Sequence, residues 1–205
     1  VHLFALHGFA AVPVRDIARA VGIKDASIYS HFASKDELLD IIIDHFRAAF
    51  WSSIPPVEKL EWILARCPPW AFLVQGFSLF KQRVEDPVMA WTYQVLMREK
   101  FSNNRAAEAW AAHREHVIGY VETAFRVMVA KELIPARDPR GLARLYEYPM
   151  LLLLENYITE LCNGRPTQAI EDEIFRHKRF FFELLTGSAP DAEMEAQNGK
   201  NQTIG

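Results

Sequence analysis

Two cysteines, Cys67 and Cys162, are all that the 205 residues hold, so neither a disulfide framework nor a cysteine-built metal quartet is available. The simple reading is reduced thiols in a cytoplasmic protein. Long apolar runs are equally scarce. The longest, Met150 to Leu154, stops at Glu155, far short of the roughly 20 residues a membrane-crossing helix needs. No charged-then-apolar leader opens the sequence, and nothing predicts export. Sustained strand-like alternation is missing from every stretch. So is a surplus of basic charge: 23 Lys and Arg stand against 26 Asp and Glu, a formal charge of −3, whereas a nucleic-acid binder usually has a basic footprint. There is no glycine-rich phosphate loop, no Gly-x-Ser-x-Gly elbow and no paired-carboxylate signature, so the chain is not read as an enzyme. No catalytic residue, metal or cofactor is assigned.

What the sequence does hold is a half-hydrophobic composition with 14 Phe, 6 Tyr and 5 Trp. That content excludes global disorder and supplies core for one large domain or two small ones. Almost every segment carries a helical period, which predicts an all-α chain of about nine helices. Gly8, Gly22, Pro55-Pro56, Pro68-Pro69, Asn103-Asn104, Pro135 to Pro139, Gly164 to Pro166 and Gly187 mark the breaks. Short helices with tight turns occupy residues 1–51, longer aromatic-rich helices occupy 56–186, and 187–205 reads as a flexible polar tail. The paired prolines at 55 and 56 set the first boundary, because proline neither continues a helix nor tolerates one just before it.

Pro13 suits a helix start, and Val14, Ile17, Ala18 and Val21 then recur on one apolar face. Gly22 stops that helix with the left-handed turn glycine adopts freely. A second short helix is predicted over Asp25 to Phe32, with Ile28 and Phe32 inward and Lys24, Ser27, Tyr29, Ser30 and His31 outward. Two short helices about a glycine turn form a helix-turn-helix pattern. The third helix opens on Ser34-Lys35-Asp36-Glu37, a capping box. Its buried face is Leu38, Leu39, Ile42, Ile43, Phe46 and Phe50.

Leu3-Phe4, Gly8-Phe9, Val14-Arg15-Asp16-Ile17-Ala18, Val21-Gly22-Ile23, Ser27-Ile28-Tyr29, His31-Phe32 and Ser34-Lys35-Asp36-Glu37-Leu38 together resemble the DNA-binding domain of TetR-family transcriptional regulators. The resemblance runs without gaps over about the first 45 residues. Val12-Pro13 stands where the family usually has a capping hydroxyl, and Lys24 where it often has Ser; Asp25 is expected to take over the capping role. Val1 lies inside an apolar-patterned stretch, so the family's first helix is expected to extend upstream, on an arm predicted to be basic. The resemblance implies that Asp25 to Phe32 is a recognition helix in the DNA major groove. Ser27, Tyr29, Ser30 and His31 would then reach base edges or phosphates, and Arg15, Lys24 and Lys35 phosphates, with Asp25 as an electrostatic liability. It further implies a homodimer on a palindromic operator, probed one DNA turn apart and released by a small-molecule inducer. A helical ligand-binding or protein-interaction module without DNA-binding activity is the alternative.

The charge of the head is near balance. Residues 1–51 carry Arg15, Arg19, Lys24, Lys35 and Arg47 against Asp16, Asp25, Asp36, Glu37, Asp40 and Asp44, four of these acids falling in the helix after Ser34.

Beyond residue 56 the resemblance is one of plan only: a ligand-sensing, dimer-forming helical domain. Two helices, about Asp138 to Cys162 and Thr167 to Thr186, carry more apolar surface than one packing face needs, which points to a partner subunit's matching helices. Tyr146, Pro149, Leu153, Tyr157, Ile174 and Phe181 are the expected dimer-interface residues, with a central core helix as the other reading. Glu147 and Glu155-Asn156 interrupt the first of these helices, where they could set register or pair with Arg144 or Lys178. Aromatics crowd the middle of the chain, mostly as core. A subset with polar neighbours is the expected wall of a cavity for a hydrophobic or aromatic ligand: Phe72, Gln75, Phe77, Trp91, Gln94, Trp110, His113 and Tyr120. His113 and His116 share a helix face, but no third ligand lies near in sequence, and packed or solvated histidines are the expectation.

Overall fold

A computed structural model of the chain describes residues 1–51 and 54–191. Ten α-helices and one short 3₁₀ turn account for the regular structure of those residues. The helices are α1 (His2–His7), α2 (Val14–Val21), α3 (Asp25–Tyr29), α4 (Lys35–Trp51), α5 (Leu60–Leu64), α6 (Pro69–Val84), α7 (Pro87–Glu99), α8 (Asn104–Ala130), α9 (Pro139–Cys162) and α10 (Gln168–Thr186). The chain is all-α, as the periodicity predicts. Among the described residues no helix is long and apolar enough to cross a membrane. Most of the polar tail expected over 187–205 lies outside the described residues, which end at Asp191.

The helices gather into two compact units. The first takes Val1–Ser53 together with Val84–His113, so α7 and the start of α8 belong with the head formed by α1 to α4. Within it, Pro13 precedes α2 in an extended conformation, and Gly22 closes α2 at φ +74°. There the amide of Gly22 reaches the carbonyls of Ala18 and Arg19, and that of Ile23 returns to Ala18 at 3.0 Å. Ala18 is fully buried, whereas Val21, expected on the same apolar face, is 62% exposed at the edge of the turn.

The recognition-helix candidate α3 is shorter than predicted. It ends at Tyr29, and the amide of His31 then bonds the carbonyl of Ile28 three residues back, which tightens the chain out of the helix before Phe32. Lys24, not Asp25, is the residue at its N-cap, and no side chain caps it. Asp25 is the first helical residue, already too far along the turn to accept from the free amides it was expected to cap. The start of α4 is capped as read: the Ser34 hydroxyl accepts from the Glu37 amide at 3.3 Å. The Glu37 carboxylate reaches one residue further back than a standard box, accepting from the Ala33 amide at 2.6 Å.

The first unit's core closes on Phe46 of α4. Its ring meets Phe50 at 6.1 Å, Tyr93 of α7 at 5.0 Å and His113 of α8 at 5.1 Å. The α7 start is fixed by Asp86, whose carboxylate accepts from the Val88 amide at 2.9 Å, with Pro87 at the first helical position. Arg105 of α8 pairs with Asp40 and Asp44 on α4, which neutralises two of the acids that made the head's charge negative.

The second unit takes Ile54–Arg83 and the chain from Arg114 onward. Its core includes Trp70, Leu73, Ile118, Phe125, Met128, Tyr146, Ile174 and Phe181. Trp70 of α6 meets Phe175 and Phe182 of α10 edge-on at 5.7 and 5.5 Å, and the Tyr146 hydroxyl of α9 donates to the Leu73 carbonyl at 3.0 Å. Asp138 caps α9 by accepting from the amides of Arg140 and Gly141. A side chain at Gly141 would place its Cβ 2.8 Å from that same carboxylate and push the cap aside.

The apolar excess of α9 and α10 divides differently from the expectation. Tyr146, Tyr157, Ile174 and Phe181 are buried in the unit's own interior, because neighbouring helices already cover that side. Only Pro149 is exposed and Leu153 half-exposed among the six expected. The outward apolar stripe is instead Leu145, Tyr148, Pro149 and Leu152 on α9, with Phe180 and Leu184 on α10. The spacing 145, 148, 149, 152 is that of one helix face.

Candidate nucleic-acid interface

The turn at Gly22 sets α3 off α2 with one buried anchor, Ile28, and turns the rest of that short helix to solvent. Arg15, Lys24, Asp25, Tyr29, Ser30 and His31 are exposed, and Ser27 is half-buried. Tyr29 is 57% exposed, unusually high for a tyrosine one residue from a buried isoleucine. Among the described residues, the Lys24 ammonium, the Tyr29 hydroxyl and the His31 imidazole make no hydrogen bond. Ser30 does: its hydroxyl donates to the Ser27 carbonyl at 2.8 Å, which stiffens the end of α3 and still leaves the oxygen able to accept. Arg15 lies 4.0 Å from Asp16, which also pairs with Arg19 at 3.3 Å. The face thus offers cations, hydroxyls and an imidazole within about two helical turns.

Lys35 is placed otherwise. Its ammonium donates to the Phe9 carbonyl, lies 3.4 Å from the Ala10 carbonyl, and sits 4.3 Å from the Phe9 ring centroid. That ties the start of α4 to the loop between α1 and α2. The opposite side of the same loop is held from α7. Glu99 Oε1 accepts from the Phe9 amide at 3.0 Å, its other oxygen accepts from Ser102 at 2.9 Å, and Arg98 donates to the carbonyls of Ala5 and Leu6 at 2.6 and 2.9 Å. Gly8, at φ +83°, makes the turn that exposes these backbone groups to the clamp. Arg98, Glu99 and Arg105 escape a reading of the sequence, since adjacent charges at a helix end look like solvated surface. Only the near-burial of Glu99 distinguishes them.

The eight expected cavity residues are divided between the two units. Trp91, Gln94, Trp110 and His113 lie in the first unit, and Phe72, Gln75, Phe77 and Tyr120 in the second. His113 is core, ringed by Phe46, Phe50, Tyr93 and Trp110 at 4.1 to 5.8 Å. Trp91 packs on His2 at 4.3 Å, and Gln94 is buried. In the second unit Gln75 is exposed, while Phe72 stacks on Tyr120 at 6.5 Å. Burial pushes the Tyr120 hydroxyl up to about 12, so it stays a neutral donor. Among the described residues no three His, Cys, Asp or Glu side chains gather as a metal-holding group.

Residues 1–42 match the sequence profile of the bacterial regulatory proteins of the tetR family. The HTH-type transcriptional repressor KstR2 of Mycobacterium tuberculosis is 39% identical over 64 residues, which cover 31% of this chain and 26% of that repressor. The match therefore spans about a quarter of the curated relative's length. Two solved structures share the fold across nearly the whole chain. A TetR transcription regulator from Haloarcula marismortui has a TM-score of 0.58 at 15% identity, covering 89% of this chain and 92% of that one. The complex of SmeT with triclosan has a TM-score of 0.50 at 19% identity, covering 92% and 91%. The first 42 residues thus match the tetR family of bacterial regulatory proteins, and the chain shares the fold of a TetR transcription regulator.

Proposed function

We propose that this chain is a cytoplasmic, ligand-responsive DNA-binding repressor that acts as a homodimer on a palindromic operator. The carrying observation is the exposed set Lys24, Tyr29 and His31, none of them hydrogen-bonded within the chain, beside Ser30, at and around a short helix that follows the turn at Gly22. Exposed groups with no hydrogen bond inside the chain exchange only water when they bond phosphates or base edges. Similarity to the repressor KstR2 supports the same reading. The face of Leu145, Tyr148, Pro149, Leu152, Phe180 and Leu184 is the proposed subunit contact, since a contiguous exposed apolar stripe calls for a cover. Two recognition helices must then stand about 34–36 Å apart to enter successive major grooves. A hydrophobic or aromatic ligand acts by favouring a state with a different separation, and only to the extent that it binds that state better. SmeT, which has the same fold, forms a complex with triclosan, and this supports a ligand-sensing role.

Binding to a palindromic duplex measured against salt tests the reading. A steep log–log salt dependence that flattens in Lys24→Met supports it, and affinity independent of salt and of duplex sequence contradicts it.

A further inference from the structure

The second unit buries an acidic and a basic side chain that leave each other incompletely satisfied. Glu147 of α9 is 6% exposed, and its carboxylate makes no hydrogen bond and no ion pair with any described residue. Lys178 of α10 is 3% exposed; its ammonium has one long hydrogen bond, 3.3 Å to the Val74 carbonyl on α6, and lies 4.9 Å from the centroid of the Phe77 ring. Two of the three ammonium hydrogens thus have no described acceptor. A buried carboxyl without a donor and an amine with a single long hydrogen bond are each costly, and native proteins rarely leave such groups so poorly partnered.

The two groups feel each other electrostatically. Burial pushes Glu147 up to about 8, and Lys178 partly offsets that rise; burial pulls Lys178 down to about 7, and Glu147 partly offsets that fall. The Tyr146 hydroxyl is committed to the Leu73 carbonyl, and the His177 Nε2 to the Tyr146 carbonyl at 3.0 Å. Phe77, whose ring lies 4.9 Å from the Lys178 ammonium, is half-buried.

We propose that Glu147 and Lys178 form the polar end of a binding site for a neutral, hydroxyl-bearing apolar molecule, an alcohol or a phenol, whose ring lies along Phe77. One hydroxyl both donates and accepts, so it bridges carboxylate and ammonium at once. An anionic or cationic ligand would leave one buried charge uncompensated, because the pair is already neutral as a whole. A hydrocarbon would add a partner to neither group. The proposal rests on the ligand-sensing reading of the second unit and sharpens it to a ligand class.

Calorimetric titration of the full chain, without DNA, with 2-naphthol, naphthalene and 2-naphthoate tests it. The expected result is that 2-naphthol binds at least about tenfold more tightly than the other two, the value of a hydrogen bond to a charged group. In Glu147→Met/Lys178→Met, which removes both charges together and so creates no unpaired one, 2-naphthol and naphthalene should bind within about twofold of each other. Equal affinities in the unaltered chain, absence of any binding, or a hydroxyl preference that survives the double substitution each overturn the proposal; a water alone between the two groups would give the first or second result. The probe ranking in the unaltered chain is decisive even where the double variant does not fold. Because no duplex is present, failure here leaves the DNA-binding reading standing, and failure of duplex binding leaves this site standing.

Discussion

The ammonium of Lys35, at the first turn of α4, donates to the backbone carbonyl of Phe9 in the loop that joins α1 to α2. On the other side of that residue, Glu99 at the end of α7 accepts from the Phe9 amide at 3.0 Å. One residue is thus gripped through both its backbone groups by side chains 26 and 90 positions away. The contact defines how the loop before α2 is carried, and α2 in turn carries the turn to the exposed face of α3.

Lys35 therefore positions the head and does not stand free to neutralise a phosphate. Lys35→Met should weaken operator binding while leaving the slope of log affinity against log salt unchanged. Lys24→Met should reduce that slope by about one unit, the signature of one lost phosphate contact. Filter binding or fluorescence anisotropy at several salt concentrations separates the two; a slope reduced by one unit in Lys35→Met would contradict the positioning role.

Tyr29 offers the opposite combination, high exposure and no hydrogen bond in the chain itself. Tyr29→Ala should cost about 1–3 kcal/mol of specific binding, the range of one base contact. Its effect on folding should remain within about 0.5 kcal/mol, as for other surface substitutions. Urea denaturation beside duplex titration checks both numbers. A large loss of stability would mean that Tyr29 packs against the head.

The outward and inward faces of α9 and α10 should separate cleanly. Leu152→Glu, at a position 60% exposed, should shift the sedimentation coefficient from dimer to monomer with the thermal midpoint of the monomer fold retained. Phe181→Ala, at a position 1% exposed, should instead destabilise the fold by about 3–5 kcal/mol. Analytical ultracentrifugation reads the first effect and denaturation the second. A Leu152→Glu chain that sediments as the unaltered one does would remove this stripe as the subunit contact.

The buried pair gives stability a defined response to pH. Glu147 titrates near 8 in the folded chain against an ordinary value of 4.5, so its contribution is fully present below 4.5 and declines as pH rises toward 8. Lys178 titrates near 7 against 10.5, so its contribution is present above 10.5 and declines as pH falls toward 7. The stability difference between the unaltered chain and Glu147→Gln should therefore move in favour of the variant as pH rises from 5 to 8. Urea midpoints at pH 5, 6, 7 and 8 measure it, and a constant difference across that range would contradict the burial of an ionisable carboxyl.

Short-range chemistry makes the head legible in the sequence. Gly22, the Ser34 and Glu37 cap and the spacing of Leu39, Ile42, Ile43, Phe46 and Phe50 each act within a few residues, so they are visible along the chain. The joining of α7 to the head is not visible there, because it depends on Tyr93 and His113 meeting Phe46 across more than 45 residues. The same limit governs the two helices α9 and α10. Their apolar excess is plain, but periodicity alone does not say which side a neighbouring helix covers, and Tyr146, Tyr157, Ile174 and Phe181 face inward. For α3 the difference is local: turn hydrogen bonds at His31 and Phe32 compete with a helix whose polar residues give it little reason to continue.

If two equivalent helices of a dimer read one duplex, the symmetry of the protein must reappear in the DNA it selects. Selection of bound duplexes from a random library, followed by sequencing, measures that symmetry. The pool should enrich an inverted repeat whose half-site centres lie about one DNA turn, 10–10.5 base pairs, or a multiple of it apart. The enrichment should vanish when Tyr29→Ala is used in place of the unaltered chain. A pool that stays random through successive rounds, or that enriches single sites without symmetry, would contradict duplex reading by paired helices.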